Sequence, residues 1–230
     1  MKVVILGTGN VGQTLAEKLI SLDHEVMMGT RDVAVTLERK GSGNSGDLSF
    51  GEWHSNNKKV QLMTFQDVVR EGELIINALH GAAVIPVIQS CNLSDFDNKL
   101  IMDIANPLDF SKGFPPSLLP GMNNTNSLGE EIQKLLPNSK VVKTLNTMWC
   151  GIMVNPEMIN NGAHQNYICG NDKEAKEKVT DLLASFGWNK DYILDLGDIT
   201  NARGSESTLL IWTRIYGIMG SGAFNMKIVK

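Results

Sequence analysis

An α/β chain, doubly wound around a mainly parallel sheet, is what three features of these 230 residues predict. Short apolar runs alternate with amphipathic stretches along almost the whole length. The runs are continuous and not polar-alternating, as expected of strands covered by helices on both faces. The first run, at the very N-terminus, opens into a glycine-spaced turn, GTGNVG, and then into a helix-like stretch.

Taken in order, KVVILG (2–7) reads as a buried strand and NVGQTLAEKLISLD (10–23) as a helix with apolar residues at helical spacing. A second strand, 24–29, leads into a short helix through Val33–Lys40. Further strands are expected at 60–64, 73–79, 99–105, 140–145, 165–170 and 191–196. The helical segments FQDVVREG, AVIPVIQSC, SLGEEIQKLL and DKEAKEKVTDLLASFG separate many of them. Pro86 should start or kink the second of these four. Two segments break the rhythm. Residues 40–59 are rich in Gly, Ser and Asn and read as a mobile loop, with Phe50 and Trp53 as docking points. Residues 106–127 carry four of the seven prolines. Both follow strands, and ligands in open α/β sheets bind beyond the carboxyl ends of strands, so either is a candidate for function.

Composition bounds the partners. A chain of this length with 42% hydrophobic residues can bury one good core. The net charge of −4 argues against nucleic acid or an anionic membrane surface as partner. Cys91, Cys150 and Cys169 are odd in number and far apart, with no zinc-like spacing, so no metal is expected. No apolar run approaches the roughly 20 residues of a membrane span, and the N-terminus is too short for a signal peptide. The expectation is a cytoplasmic protein.

The turn GTGNVG matches GxGxxG in its required context, between a strand and a helix. Gly7 permits the turn, Gly9 lets the backbone approach a pyrophosphate, and Gly12 lets helix and strand pack closely. The amides of Asn10, Val11 and Gly12 would meet the phosphates at a helix N-terminus. The fold is thus predicted to be Rossmann-type. At the end of the second strand, where an acid would bind the ribose of NAD, the chain has Thr30 and Arg31. A hydroxyl and a planar cation suit the extra phosphate of NADP(H). The plainer alternative is that Arg31 stacks on the adenine or faces solvent. Asp32 is placed to cap the next helix.

Further segments carry a resemblance. DHEVMMGTR, IMDIANPLD, VVKTLNTMW, ICGNDKEAK and the C-terminal NARGSESTLLIWTRIYGIMGSG together cover nearly the whole chain. They resemble the NADP reductases that use the deazaflavin coenzyme F420, and their relatives. The resemblance implies that Thr8, Gly9, Asn10 and Val11 contact the pyrophosphate and that Thr30 and Arg31 contact the 2′-phosphate. It implies Leu79 and His80 along the nicotinamide ribose, and Ala105, Asn106 and Pro107 beside the nicotinamide ring. A second ring, F420 or a flavin, would pack near Asn146, Thr147, Met148 and Trp149 and near Gly220 and Gly222. The implied division is an NADP-binding domain, 1–145, and a C-terminal extension, 146–230, that completes the sheet and lines the second pocket. Two departures stand out: the long 40–59 segment, and Met148-Trp149 where small residues or proline are frequent. A small carbonyl, an imine or a metal chelate is therefore an alternative acceptor.

Hydride transfer between stacked rings needs little acid–base help, and the sequence offers no catalytic triad. His80, leaving a strand, is the one candidate for proton handling, with a hydrogen-bonding role the simpler reading; His54 and His164 fall in predicted loops. Asn106 and Asn146 either donate to a carbonyl or fix turns. The stretch GSESTLLIWTRIYGIMG is apolar nearly all round and must be buried, under the domain or across a homodimer interface. Glu206 and Arg214 within it require partners. Two classes of function remain: an NADP(H)-dependent oxidoreductase acting on a small-molecule acceptor, or a non-catalytic NADP(H) sensor.

Overall fold

The computed structural model describes residues 1–40 and 48–229. Its first half contains β1 (Lys2–Leu6), α1 (Asn10–Ser21), β2 (Glu25–Thr30), α2 (Val33–Glu38), α3 (Phe50–Asn56), β3 (Gln61–Thr64), α4 (Phe65–Glu71), β4 (Leu74–Asn77), α5 (Gly81–Gln89) and β5 (Leu100–Asp103). Then follow β6 (Leu108–Asp109), β7 (Ser117–Leu118), α6 (Leu128–Leu135), β8 (Lys140–Thr144), α7 (Cys150–Val154), β9 (Asn166–Gly170), α8 (Lys173–Ser185), β10 (Ile193–Asp195) and α9 (Ala202–Met219). Each of the eight predicted strands is present.

These eight form one sheet, in the order β10-β9-β8-β5-β4-β1-β2-β3, while β6 and β7 make a separate two-stranded ribbon. All neighbours in the large sheet run parallel except β8 and β9, which are antiparallel. Successive residues of β1 show why both faces must be covered. Val3 and Ile5 pack into one core cluster with Leu15 and Leu19 of α1, Val179 of α8 and Ile152 of α7. Val4 and Leu6 pack into another with Val68 of α4, Val84 of α5 and Ile132 of α6. This is the doubly wound Rossmann-type arrangement. The chain order reverses at β1, which pairs with β2 on one side and β4 on the other. The crevice at that point is where such sheets take dinucleotides.

Two expectations are corrected. Residues 50–56 are not loop but the helix α3, closed by a capping box in which the Ser49 hydroxyl accepts from Glu52 N–H and Glu52 reaches back to Ser49 N–H. Phe50 and Trp53 are not docking points, being 2% and 6% exposed in the core; the first part of the expected loop, 41–47, lies outside the described residues. His54 accordingly sits on that helix, its Nε2 2.9 Å from the Val60 carbonyl oxygen. Pro86 does not start its helix, since α5 begins at Gly81 and continues past it. The last helix, expected to be buried under the domain or across a homodimer interface, is half buried within the single chain. Its first half carries buried Ala202, Glu206 and Leu209, whereas Ile211, Ile218 and Met219 are exposed.

The middle of the molecule is organised by one buried cation. Lys143, on β8, is fully buried, with its ammonium 2.8 Å from Asp103 Oδ2 on β5 and 2.8 Å from Glu206 Oε1 on α9. Burial alone would push the ammonium pKa down, but the two carboxylates outweigh it and hold it above the ordinary lysine value. Glu206 also accepts the N–H groups of Leu128 and Gly129, at 2.9 and 3.0 Å. Its charge thereby sits at the positive end of α6. Asp103 Oδ1 takes Asn77 Nδ2 at 2.8 Å and Ala105 N–H at 3.1 Å. Glu206 thus has the partner its burial demands, while Arg214 is exposed and bonds the Leu210 carbonyl of its own helix.

Replacing Lys143 with Met leaves two carboxylates buried together without their cation. Urea unfolding of Lys143→Met should show a loss of about 3–5 kcal/mol. A loss no greater than that of a surface pair, about 1 kcal/mol, would remove the cation from its central position.

Candidate functional site

The turn after β1 is built by backbone contact. Gly7 lies at φ +116°, where an L side chain is strained, and a Cβ there would come 2.7 Å from the Ala78 carbonyl oxygen. A Cβ on Gly12 would come 2.4 Å from the Gly7 carbonyl oxygen, so strand and helix meet main chain to main chain. At Gly9 the situation is opposite: a Cβ would meet nothing within 4 Å. α1 starts there with no side-chain cap and no acid in its first turn. The N–H groups of Asn10, Val11 and Gly12, which have no intrahelical acceptor, are thus left for an anion beside an open cradle.

Seven of the predicted residues, Gly7, Thr8, Gly9, Thr30, Arg31, Leu79 and His80, line one cavity of about 420 Å³ beyond the ends of β1, β2 and β4. Thr30 is buried and shares a 2.6 Å hydrogen bond with the Thr36 hydroxyl, so one of the two hydroxyls keeps a proton to donate elsewhere. Asp32 caps α2, accepting from Val35 N–H at 2.9 Å, which turns its charge to the helix and not to the ribose. Arg31 is exposed, with no carboxylate partner among the described residues. The donor set therefore fits a dinucleotide with a third phosphate: free helix-end amides, a cradle that a side chain would fill, and an unpaired guanidinium.

A second group of residues gathers at the ends of β5 and β8. The first residue of α5 packs so tightly that a Cβ on Gly81 would fall 2.0 Å from the Asn106 carbonyl oxygen. Asn106 Nδ2 donates to the Asn146 carbonyl at 2.7 Å, and Asn146 Nδ2 donates to Asn106 Oδ1 at 2.9 Å. The backbone between β8 and this pair is strained, because Leu145 adopts φ +57°. Asn166 Oδ1 holds it there by accepting Leu145 N–H at 3.2 Å. Asn146 Oδ1 and Thr147 Oγ1 are buried without a hydrogen-bond partner, as is Trp212 Nε1. Such orphans each cost about 1–3 kcal/mol and gather where a protein tolerates strain for function.

Trp149 stands at the N-terminal end of α7, makes no side-chain capping bond and keeps 41% of its surface exposed. Its ring lies on Gly151, where a Cβ would come within 2.3 Å of it, and a Cβ on Gly222 would come 2.8 Å from Trp149 Cβ. The tail that brings Gly222 there is tied down by Asn225, which donates to His164 Nδ1 and to the Gln165 carbonyl, each at 2.8 Å. His164 lies in the loop before β9, where the sequence placed it, yet is 2% exposed, its Nε2 bonded to the Pro156 carbonyl. Gly220 ends α9 at φ +65° and is exposed, whereas Met148 packs into the core with Ile152 and Met153. Ala105 is buried with its amide on Asp103, and the Pro107 carbonyl accepts Leu119 N–H at 2.8 Å. His80 occupies the N-cap position of α5 without a side-chain capping bond, is exposed, and has its ring 6.0 Å from that of Phe110.

Four participants had no motif to announce them: Thr36 and Arg39 in the phosphate cavity, and Gly151 and the Asn225–His164 tie around Trp149. Only the S-x-x-E spacing of Ser49 and Glu52, which begins α3, was a readable clue to the packing near Arg39. Among the described residues no group of His, Cys, Asp and Glu could hold a metal ion, and no helix is long and apolar enough to cross a membrane. Burial pushes the Cys169 thiol up to about 12.

The two glycines of the turn should separate under substitution. Gly9→Ala should leave stability within about 0.5 kcal/mol of the parent yet weaken NADPH binding at least about tenfold by closing the cradle. Gly12→Ala should itself cost about 1–3 kcal/mol. Thermal unfolding and NADPH fluorescence titration check both; a Gly9→Ala variant that binds like the parent contradicts the cradle.

Comparison with known proteins places this geometry. Residues 2–107 match the family model of NADP oxidoreductases that are coenzyme F420-dependent. A candidate F420-dependent NADP reductase from Arthrobacter sp. FB24, known from its crystal structure, is 45% identical, with each chain fully covered and a TM-score of 0.93. The F420-dependent NADP reductase of Methanocaldococcus jannaschii is 26% identical over 227 residues, covering 96% of each chain. Metalloreductase STEAP3 of Rattus norvegicus is 26% identical over 210 residues, 90% of this chain but only 36% of that protein's length. The full-length match at 45% identity fixes the assignment: the chain belongs to the coenzyme F420-dependent NADP oxidoreductase family and is an NADP-dependent oxidoreductase.

Proposed function

We propose that the chain moves hydride between the nicotinamide of NADP(H) and a flavin-like acceptor, coenzyme F420 first among them. The observation that carries this reading is the Trp149 plate. An exposed indole, backed by Gly151 and Gly222, stands on the same chain segment as Asn146, which bonds Asn106 at the end of β5. A flat acceptor needs such a wall opposite the nicotinamide. When bound, NADPH supplies the hydride and its electron pair from C4 of the nicotinamide.

The chain's own residues then position and enclose. Gly9, Asn10, Val11 and Gly12 hold the pyrophosphate through backbone amides, while Thr30 and Arg31 hold the 2′-phosphate. Leu79 and His80 lie along the ribose, with the His80 ring available for a hydrogen bond there. Ala105, Asn106 and Pro107 border the nicotinamide, and the Asn106–Asn146 pair fixes that edge. Thr147, Trp149 and Gly222 shape the acceptor side, so rings meet face to face with water excluded. No residue is required to take a proton from carbon, in keeping with a site that positions two rings. On this reading the site spans the division between residues 1–145 and 146–230, and the chain works in the cytoplasm on a diffusible acceptor.

A homodimer is part of the same proposal. Ile211, Tyr216, Ile218 and Met219 on α9 are 51%, 40%, 87% and 55% exposed, with Phe114 packed edge-on against Tyr216. An apolar face of this kind on one helix suits a second copy of the chain. Sedimentation should give about twice the 25.2 kDa chain mass; a species of chain mass alone would remove the dimer.

Stopped-flow oxidation of NADPH against F420, FMN and a panel of carbonyls and imines tests the acceptor. F420 or FMN should turn over with a primary isotope effect from C4-deuterated NADPH. Trp149→Ala should raise the KM for that acceptor by about 3- to 10-fold and leave NADPH affinity unchanged. Turnover with carbonyls or imines alone would replace the flavin-like acceptor, and no turnover with any of them would contradict an acceptor of any of these classes.

A further inference from the structure

We infer that Arg39 is a second guanidinium for the 2′-phosphate of NADP(H), set in place by the helix α3. This rests on the NADP reading of Thr30 and Arg31, and it concerns a residue eight positions beyond that motif.

Arg39 follows directly after α2 and lines the same cavity as Thr8, Gly9 and Arg31. Its Nη2 donates to the Thr8 carbonyl at 3.0 Å, which brings the cation onto the rim of the phosphate turn. Its guanidinium carbon stands 5.6 Å from the centre of the Phe50 ring, within cation–π range. Among the described residues it has no carboxylate partner. A guanidinium brings five N–H donors in a fixed fork, and the bond to Thr8 uses one of them. Among the described residues no other acceptor takes the remaining donors, which leaves them for a phosphate monoester in the cavity.

The support under Arg39 is specific. Phe50 begins α3 and is buried beneath the cation. Gly51 brings α3 against α2 so closely that a Cβ would fall 2.2 Å from the Leu37 carbonyl oxygen. Trp53, one turn on, donates its indole N–H to Glu17 Oε1 of α1 at 2.6 Å. α3 is thereby fastened to the helix that follows the phosphate turn and to the helix that follows Arg31. A packed aromatic ring at the one place where the chain must present a cation is more than a loop connection requires. Two guanidinium groups, one from each side of α2, match a dianion better than one. The pyrophosphate is already served by helix-end amides, so the added charge falls to the monoester.

The test is a set of NADPH, NADH and adenosine 2′,5′-bisphosphate titrations, by fluorescence and calorimetry, on the parent, Arg39→Ala, Arg39→Lys and Phe50→Leu. The parent should prefer NADPH to NADH. Arg39→Ala should weaken NADPH and the bisphosphate about 10- to 100-fold while leaving NADH within about twofold and unfolding unchanged. Arg39→Lys should recover part of the loss, since an ammonium keeps the charge but not the fork. Phe50→Leu, which keeps an apolar core residue and removes the ring, should lower the NADPH to NADH ratio in the same direction. An equal loss for both cofactors in Arg39→Ala, or none, overturns the assignment while the NADP reading stands. A parent with no preference for NADPH overturns both.

Discussion

One buried ammonium, that of Lys143, holds together the parts on which the site depends. Asp103 and Glu206 share it, and through them β5, β8, α6 and α9 meet at a single point. Both polar atoms of the Ala105 main chain belong to the same network: its amide goes to Asp103 and its carbonyl accepts from Lys143. The turn that would border the nicotinamide is thus fixed by charge and hydrogen bonds and not by packing alone. A buried network of this kind is costly when incomplete and rigid when satisfied. Here every member is satisfied, and the rigidity is spent next to the chemistry.

The two ends of the cleft are built on contrasting principles. At the phosphate end everything is tight main-chain contact and free donors: Gly7 and Gly12 close the turn, and the first amides of α1 are preorganised for an anion. At the ring end the chain carries strain. Leu145 is held in the left-handed region by Asn166, and two consecutive residues, Asn146 and Thr147, bury polar atoms without partners. Local rules are obeyed where charge would be held and broken where, on the proposed reading, two rings would meet. That pattern is what a site with one general and one particular ligand should show.

The sheet was legible because its strands are continuous apolar runs and each is closed by a recognisable turn or helix start. The phosphate turn was legible because its three glycines fall within six consecutive residues, at the GxGxxG spacing. What escaped depended on contacts between distant segments. Lys143 sits in KVVKTL, which reads as a strand with a polar residue. Nothing local says that its partners are 40 residues before and 63 after it in the chain. Arg39 lies outside any motif and reaches Thr8 only because α3 folds back over it. α3 itself was hidden by a glycine- and serine-rich flank, although its Ser49–Glu52 capping box was present in the letters. For the helix α9 the sequence left burial under the domain or across a homodimer interface open, because apolar periodicity does not say whether a face meets its own domain or something else. The antiparallel pairing of β8 with β9 likewise has no local signature.

A binding measurement bears most directly on this account. Titrating NADP+ and NAD+ into the purified protein by calorimetry should give one site per chain, with NADP+ the tighter ligand by at least about tenfold, as a charged phosphate contact requires. No heat with NADP+, borne out by an orthogonal binding assay, would contradict it, because the open cradle at Gly9 and the unpaired Arg31 would then have no ligand to explain them.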